Sequence, residues 1–309
     1  MTTPPTATVR ADHRATAIGL VAVLCWSCTV GLIRSISEAL GALGGAAMLY
    51  TLSAALVLLV RGLPPRAELQ RASRSYLWGG ALLFALYEIC LALAIGLAHN
   101  REQAIELGMI NYLWPSLTIV LAVACGQQRA RWWLWPGVLL CMWGLVRVMG
   151  GSASTDSSAP WWQGMWGHMS ANPLAYLLAF GAALLWPTYS LVSRIHAHGA
   201  NAVGYFLALT AALLWLKWLL IPTEPMLWSP RVAIELGAVG ACTALGYACW
   251  EHGLQRGNLA VMAAGSYFTP VFSALLASLW LAVQPGWAFW QGVAMVTTGS
   301  LVCWWATRR

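Results

Sequence analysis

The sequence predicts an all-α integral membrane protein of ten transmembrane helices, folded as two inverted five-helix repeats with both termini cytoplasmic. Three observations lead there: an apolar composition, ten apolar stretches of membrane-spanning length, and a chain that matches itself when shifted along its own length. Of the 309 residues 60% are hydrophobic and 9% charged, against about 25% charged in soluble domains. A formal charge of +7 could suggest a nucleic-acid partner. The basic residues, sixteen Arg and Lys217, are however scattered among apolar runs rather than gathered on one face, so nucleic acid is excluded as a partner and the lipid bilayer takes its place.

A helix crosses the hydrocarbon core with about 20 apolar residues. Charges, Pro and Gly mark off such stretches near 15–34, 41–60, 76–98, 103–124, 132–150, 173–194, 201–221, 232–253, 258–283 and 286–306. The first follows a polar tail, 1–14, and no small-residue cleavage pattern succeeds it, so it reads as a retained helix. The second opens on GALGG (Gly41 to Gly45), which lacks the Lys of a phosphate loop and suits close helix packing. The third holds Tyr87 and Glu88. The fourth holds NYLWP, Asn111 to Pro115, and the fifth follows Trp132. The connection 151–172 carries SASTDSSAP and then WWQGMW, a polar loop leading to an interfacial aromatic stretch. The second half runs through Trp186 and Pro187, Lys217, Tyr247 and Trp250, the SYFTP of Ser266 to Pro270, and a last helix with Gly292 and Gly299.

Lys and Arg in short loops stay on the cytoplasmic side. With the amino terminus inside, that side collects Arg10, Arg14, Arg61, Arg66, Arg71, Arg74, Arg129, Arg131, Arg194, Arg256, Arg308 and Arg309. The outer side keeps Arg34, Arg101, Arg147, Lys217 and Arg231. Shifted by 160, Trp26 falls on Trp186 and Arg34 on Arg194. Shifted by 155, Tyr112 falls on Tyr267, Pro115 on Pro270, Trp132 on Trp287, Trp135 on Trp290, Gly137 on Gly292 and Gly144 on Gly299. Five helices per half is an odd number, so the second copy must enter the membrane upside down. The expected organisation is a cytoplasmic tail 1–14, a first repeat 15–150, an extracytoplasmic loop 151–172 and a second repeat 173–309.

Inverted repeats of this kind occur in secondary transporters, where the site sits between the repeats at the bilayer midplane. Pro115 and Pro270 each fall mid-span, where a Pro kinks a helix and frees the carbonyl four residues earlier, Asn111 or Ser266. Polar backbone is tolerated at that depth when protein or a wet cavity faces it, and recurrence beside a Tyr in both halves favours a cavity. Pro187 is a third expected kink. Trp26 and Trp186 lie at midplane, away from the interfacial level, and Tyr87, Tyr112, Trp114, Tyr189, Tyr247, Trp250 and Tyr267 lie at comparable depth. An aromatic-lined cavity for an aromatic or cationic small molecule accounts for them. Trp78, Trp132, Trp133, Trp135, Trp228, Trp287, Trp304 and Trp305 fall at helix ends, as belt residues do. Glu88 is the deepest acid: it bonds between helices, faces a substrate amino group, or relays protons. Glu106, Glu235 and Glu251 lie nearer segment ends, where water can reach them.

The eight cysteines fall in apolar segments and suit small hydrophobic packing. Cys25 and Cys28 have CxxC spacing but no second pair or His cluster completes a metal site. GxxxxGK[ST], HExxH and GxSxG are all absent, so no enzyme activity, ATP-driven step, metal or cofactor is expected.

Two five-helix halves, each with a mid-helix Pro and a distal Gly pair, resemble the drug/metabolite transporter superfamily. WSCTVGLIRSISEALG, YEICLALAIGLA, QAIELGMINYLWPSLTI, GSYFTPVFSALLA and FWQGVAMVTTGSLVCWWATRR, spread from Trp26 to Arg309, resemble the YddG-type aromatic amino acid exporters of bacterial inner membranes. The resemblance implies export of phenylalanine, tyrosine and tryptophan, with tolerance for planar cations. It also implies a central cavity lined by Trp26, Tyr112, Trp114 and Trp186, joined by Glu88, Tyr247 and Tyr267. An exporter of another substrate, a membrane enzyme or sensor, and a scaffold are the competing readings, and the oligomeric state stays open.

Overall fold

The computed structural model describes residues 13–127, 129–151, 161–198, 200–221, 223 and 225–307, and among them every regular element is helical. The expected tail lies outside the described residues except for its last two, His13 and Arg14, and so do SASTDSSAP, Arg308 and Arg309. In chain order the helices are α1 (His13–Ser27), α2 (Thr29–Leu40), α3 (Ala42–Arg61), α4 (Arg66–Arg71), α5 (Ala81–Gly96, preceded by a π-helical turn Ser75–Gly80), α6 (Arg101–Asn111), α7 (Trp114–Ala124) and α8 (Leu134–Gly151). They continue with α9 (Trp161–Ala171), α10 (Pro173–His196), α11 (Val203–Leu220), α12 (Pro230–Arg256), α13 (Leu259–Ser266), α14 (Thr269–Trp280) and α15 (Trp287–Ala306). Seven helical stretches are long and apolar enough to cross a membrane, and Leu134–Gly150 and Thr269–Trp280 are shorter apolar helices.

The first expected span, 15–34, is longer in the structure. α1 and α2 run to Leu40 with a local break at Cys28. Arg34 does not end the helix because its charge is matched: Nε lies 3.1 Å from Glu38 Oε1, and Nη1 donates to the carbonyls of Gly96 and Ala98. The connection 151–172, expected as a loop, contains α9. Around it, α6 starts on a reciprocal cap, in which Asn100 accepts from the Gln103 N–H at 2.8 Å and Gln103 Oε1 accepts from the His99 N–H at 2.7 Å. α12 starts two residues before its expected boundary, where Ser229 caps the Val232 N–H and Pro230 occupies the first turn.

Pro115 and Pro270 are not kinks inside continuous helices. The chain turns at Tyr112–Leu113 and at Tyr267–Phe268, and each Pro then sits in the first turn of a new helix, α7 or α14. The ring's fixed φ suits a helix start, and the loss of its N–H falls on the carbonyl four residues earlier, which goes without that donor. Pro187, by contrast, lies inside α10, which runs unbroken from Pro173 to His196.

α1 packs on α12, α5 on α10, α3 on α11 and α12, α7 on α10, and α14 on α1. α8 and α15 meet along glycines: a methyl added to Gly137 would lie 2.9 Å from the Gly299 carbonyl oxygen, and one on Gly144 would lie 2.8 Å from that of Gly292. With no side chains between them, the two backbones approach as small-residue membrane interfaces allow. The buried core runs continuously through α2, α3, α5, α6, α10 and α11. Of the expected belt residues, Trp78, Trp132, Trp133, Trp135, Trp228, Trp287 and Trp305 are exposed, and Trp304 is half-buried.

Glu106 and Glu235 are buried rather than hydrated. Glu106 accepts from Tyr176 Oη at 2.8 Å and pairs with His168 Nδ1 of α9 at 3.2 Å. Glu235 accepts from Ser35 Oγ and Arg231 Nε, both at 2.7 Å. Each acid trades water for two protein donors, which makes burial tolerable. The Glu251 side chain lies outside what is described.

Candidate functional site

A cavity opens where the α1–α2 junction and the middles of α3, α5, α10 and α12 meet the helix breaks before Pro115 and Pro270. Its walls bound about 680 Å³ of empty space, open mouth included. Eight expected site residues line it: Trp26, Tyr87, Glu88, Asn111, Tyr112, Trp114, Trp186 and Tyr247. Thr29, Val30, Ile33, Leu49, Tyr50, Leu91, Thr243 and Thr269 complete the lining.

The aromatic rings form a connected wall. Tyr247 stands between Trp26 and Trp186, with ring centroids 5.7 and 6.3 Å away. Trp186 also meets Tyr87 at 4.8 Å and Trp114 at 6.1 Å. Tilted and edge-on pairs at these separations are the arrangements that ring quadrupoles favour. Trp26 lies so close to α12 that a methyl on Gly246 would come within 2.6 Å of its indole nitrogen, so this approach needs glycine at 246. Phe84 backs the wall from behind, against Tyr189 and Tyr247.

Besides hydroxyls and indoles, the lining carries one carboxyl, Glu88, and one amide, Asn111. Glu88, 5% exposed, has both carboxylate oxygens engaged: Tyr50 Oη donates to Oε2 at 2.8 Å and Tyr247 Oη donates to Oε1. These bonds join α3, α5 and α12. Among the described residues, no Lys, Arg or His lines the cavity. Asn111, the last residue of α6, is buried and its Oδ1 has no hydrogen-bond partner.

Four expected residues fall outside this lining. Trp250 stacks behind Trp26 at 5.3 Å, one turn along α12 from Tyr247. Tyr189 is buried against Phe84, Trp186 and Phe206. Ser266 spends its hydroxyl on the Ala263 carbonyl at 2.8 Å. Tyr267 turns away into a separate apolar cluster with Ile119, Leu134 and Cys303, beside Trp304. The turn before Pro270 decides this: it sends Thr269, not Tyr267, to the cavity.

Tyr50 and Thr243 were not expected from the sequence. Both sit mid-helix, so depth alone could have flagged them, but neither adjoins a Pro or belongs to a matched pair.

The EamA-like transporter family matches residues 173–305. The aromatic amino acid exporter YddG of Salmonella typhimurium (strain 14028s / SGSC 2262) is 45% identical to this chain over 298 residues, 96% of this chain and 99% of that protein. The protein of the same description from Escherichia coli (strain K12) is 43% identical over 297 residues, with 96% and 99% covered. The one from Ancylobacter novellus is 28% identical over 305 residues, with 96% and 98% covered. A solved crystal structure is similar in fold at a TM-score of 0.64 and 25% sequence identity, covering 97% of this chain and 99% of its own.

Proposed function

We propose that this chain, which belongs to the YddG-type aromatic amino acid exporters of the EamA-like transporter family, exports aromatic amino acids across the bacterial inner membrane by alternating access through its central cavity. It is a multi-pass membrane protein of that membrane and a transporter rather than an enzyme. The observation that carries the substrate assignment is the wall formed by Trp26, Tyr247, Trp186, Tyr87 and Trp114 around a space with a single carboxyl group. Such a wall offers faces and edges to an aromatic side chain. Asn111 offers an unpaired acceptor to its amino-acid end.

The ten-span, inverted-repeat reading belongs to this proposal. Each broken pair, α1–α2, α6–α7 and α13–α14, counts as one span, and α3, α5 with its π turn, α8, α10, α11, α12 and α15 make up ten. α4 and α9 lie outside them. The repeats are 15–150 and 173–309, joined through 151–172, with both termini cytoplasmic. Packing supports the reading because the helix pairs come as exchangeable twos: α1 on α12 with α10 on α5, α3 on α12 with α11 on α5, and α1 on α14 with α10 on α7. The Gly137–Gly299 and Gly144–Gly292 contacts also exchange under the offset of 155.

Sealed liposomes containing the purified protein and labelled phenylalanine should lose label at a protein-dependent rate, competed by tyrosine and tryptophan. Absence of such flux would sink the function. Flux that ignores an imposed pH gradient would assign facilitated rather than proton-coupled export.

A further inference from the structure

We propose that Asn111 receives the substrate's α-ammonium group, an assignment that rests on the cavity holding an aromatic amino acid. Asn111 is 4% exposed and lines the cavity, yet its side-chain oxygen has no partner. A buried carbonyl without a donor is costly, and nearly all such groups in folded proteins are satisfied. In an open cavity such a group is held by water until a ligand donor replaces it. The backbone adds a second acceptor at the same place, because Pro115, four residues on, has no N–H to give the Asn111 carbonyl.

The other helix break is the control. There the carbonyl freed by Pro270 is that of Ser266, and Thr269 Oγ1 donates to it at 2.7 Å. The Ser266 hydroxyl is likewise engaged, with the Ala263 carbonyl. A Pro break in this fold is therefore not inherently unsatisfied. At the position matching Thr269 under the 155 offset stands Trp114, whose indole N–H is a donor on a long, rigid ring, not a hydroxyl that can fold back onto the preceding turn.

Glu88 is the obvious rival for an ammonium. Each of its oxygens already accepts from a tyrosine, Tyr50 or Tyr247. With those oxygens engaged, the geometry leaves Asn111 with the open acceptor. Oxygen acceptors with no cation among the lining residues select a donor-only group, which a primary ammonium is, and disfavour a carboxylate.

The test is a thermodynamic cycle on the purified full chain, with binding read for L-phenylalanine, L-phenylalaninamide and 3-phenylpropanoate, the last lacking the ammonium. In the wild type, phenylalanine and its amide should bind about tenfold or more tighter than 3-phenylpropanoate. Asn111→Leu should bring the first two down to the level of the third and leave the third within about twofold. Asn111→Asp, which keeps an acceptor, should hold or strengthen the two ammonium ligands. Retained 3-phenylpropanoate binding and an unchanged unfolding temperature certify that each variant is folded. Equal weakening of all three ligands by Asn111→Leu in a folded variant, or additive losses around the cycle, would overturn the assignment, and so would a wild type indifferent to the ammonium. If the wild type bound none of the three and gave no flux, the export reading itself would fail and take this inference with it. Phenylalanine flux with an additive cycle rejects the role of Asn111 alone.

Discussion

Tyr247 ties the aromatic wall of the candidate site to its carboxyl group: its ring meets Trp26, Phe84 and Trp186, and its hydroxyl donates to Glu88. Tyr247→Phe keeps the ring packing and removes only the donor, leaving one Glu88 oxygen short in a buried setting. The expected cost is about 1–3 kcal/mol, seen as a lower unfolding temperature in detergent that Glu88→Gln, by returning a donor of its own, does not share. An unchanged unfolding temperature would mean that water replaces the phenol. At this scale the sequence was informative where chemistry and depth coincide. Trp26, Trp186 and Glu88 are types that lipid does not tolerate without cause, and all three line the cavity. It failed where direction mattered. Tyr267 matches Tyr112 by spacing, but the turn ahead of Pro270 points it into an apolar cluster, and no motif encodes that rotation. Tyr50 carries no such signal in the sequence, since it adjoins no Pro.

α9 illustrates what is hidden at the level of elements. WWQGMWGHMSA contains two glycines and lies in a long connection, so hydropathy and loop chemistry point to an interfacial segment rather than a helix. What holds it is tertiary: His168 Nδ1 meets Glu106, which Tyr176 of α10 also donates to. The hydrogen bond to Glu106 is the main reason the His168 imidazole titrates above its ordinary value; desolvation opposes it, and the Glu106 and Glu102 charges add to the rise. A raised pKa stabilises the docked helix fully below about pH 6.5, and the contribution fades as pH rises through the higher folded value. Hydrogen exchange across 161–171, corrected for intrinsic rates, should therefore show protection that is highest below about pH 6.5 and falls as the pH rises above it. Glu106→Gln should flatten that dependence. Protection that is level with pH in the parent protein would refute the coupling. The breaks before Pro115 and Pro270 teach a related lesson, since sequence located the prolines but not the side of them on which the helix would part.

Across the whole molecule, alternating access requires contacts at one end of the cavity to part while those at the other hold. At the α2–α6 end Arg101 binds Glu38 with two nitrogens, at 2.9 and 2.7 Å, and donates to the Leu281 carbonyl after α14 at 3.1 Å. At the far end Asn258 N–H donates to Thr16 Oγ1 at 2.8 Å, and Ser73 N–H to the His196 carbonyl at 3.1 Å. Part-exposed ion pairs contribute about 1 kcal/mol or less, so Arg101→Gln should shift the balance severalfold rather than abolish closure. The readout is labelling of Thr29→Cys by an impermeant thiol reagent added from the Arg101 side, with Cys25 and Cys28 replaced by Ser. An unchanged labelling rate would remove Arg101 from the closing contacts. The helical, multi-pass character of the fold was legible because lipid imposes composition and length together. The α8–α15 seam has a consequence for biosynthesis. Gly144 and Gly292 are 148 residues apart, so at ribosomal speeds of about 5–20 residues per second α8 waits roughly 7 to 30 s for its partner. During that interval its glycine strip must face lipid or an insertion chaperone, and nascent chains stalled before α15 should be the species that quality-control proteases find first.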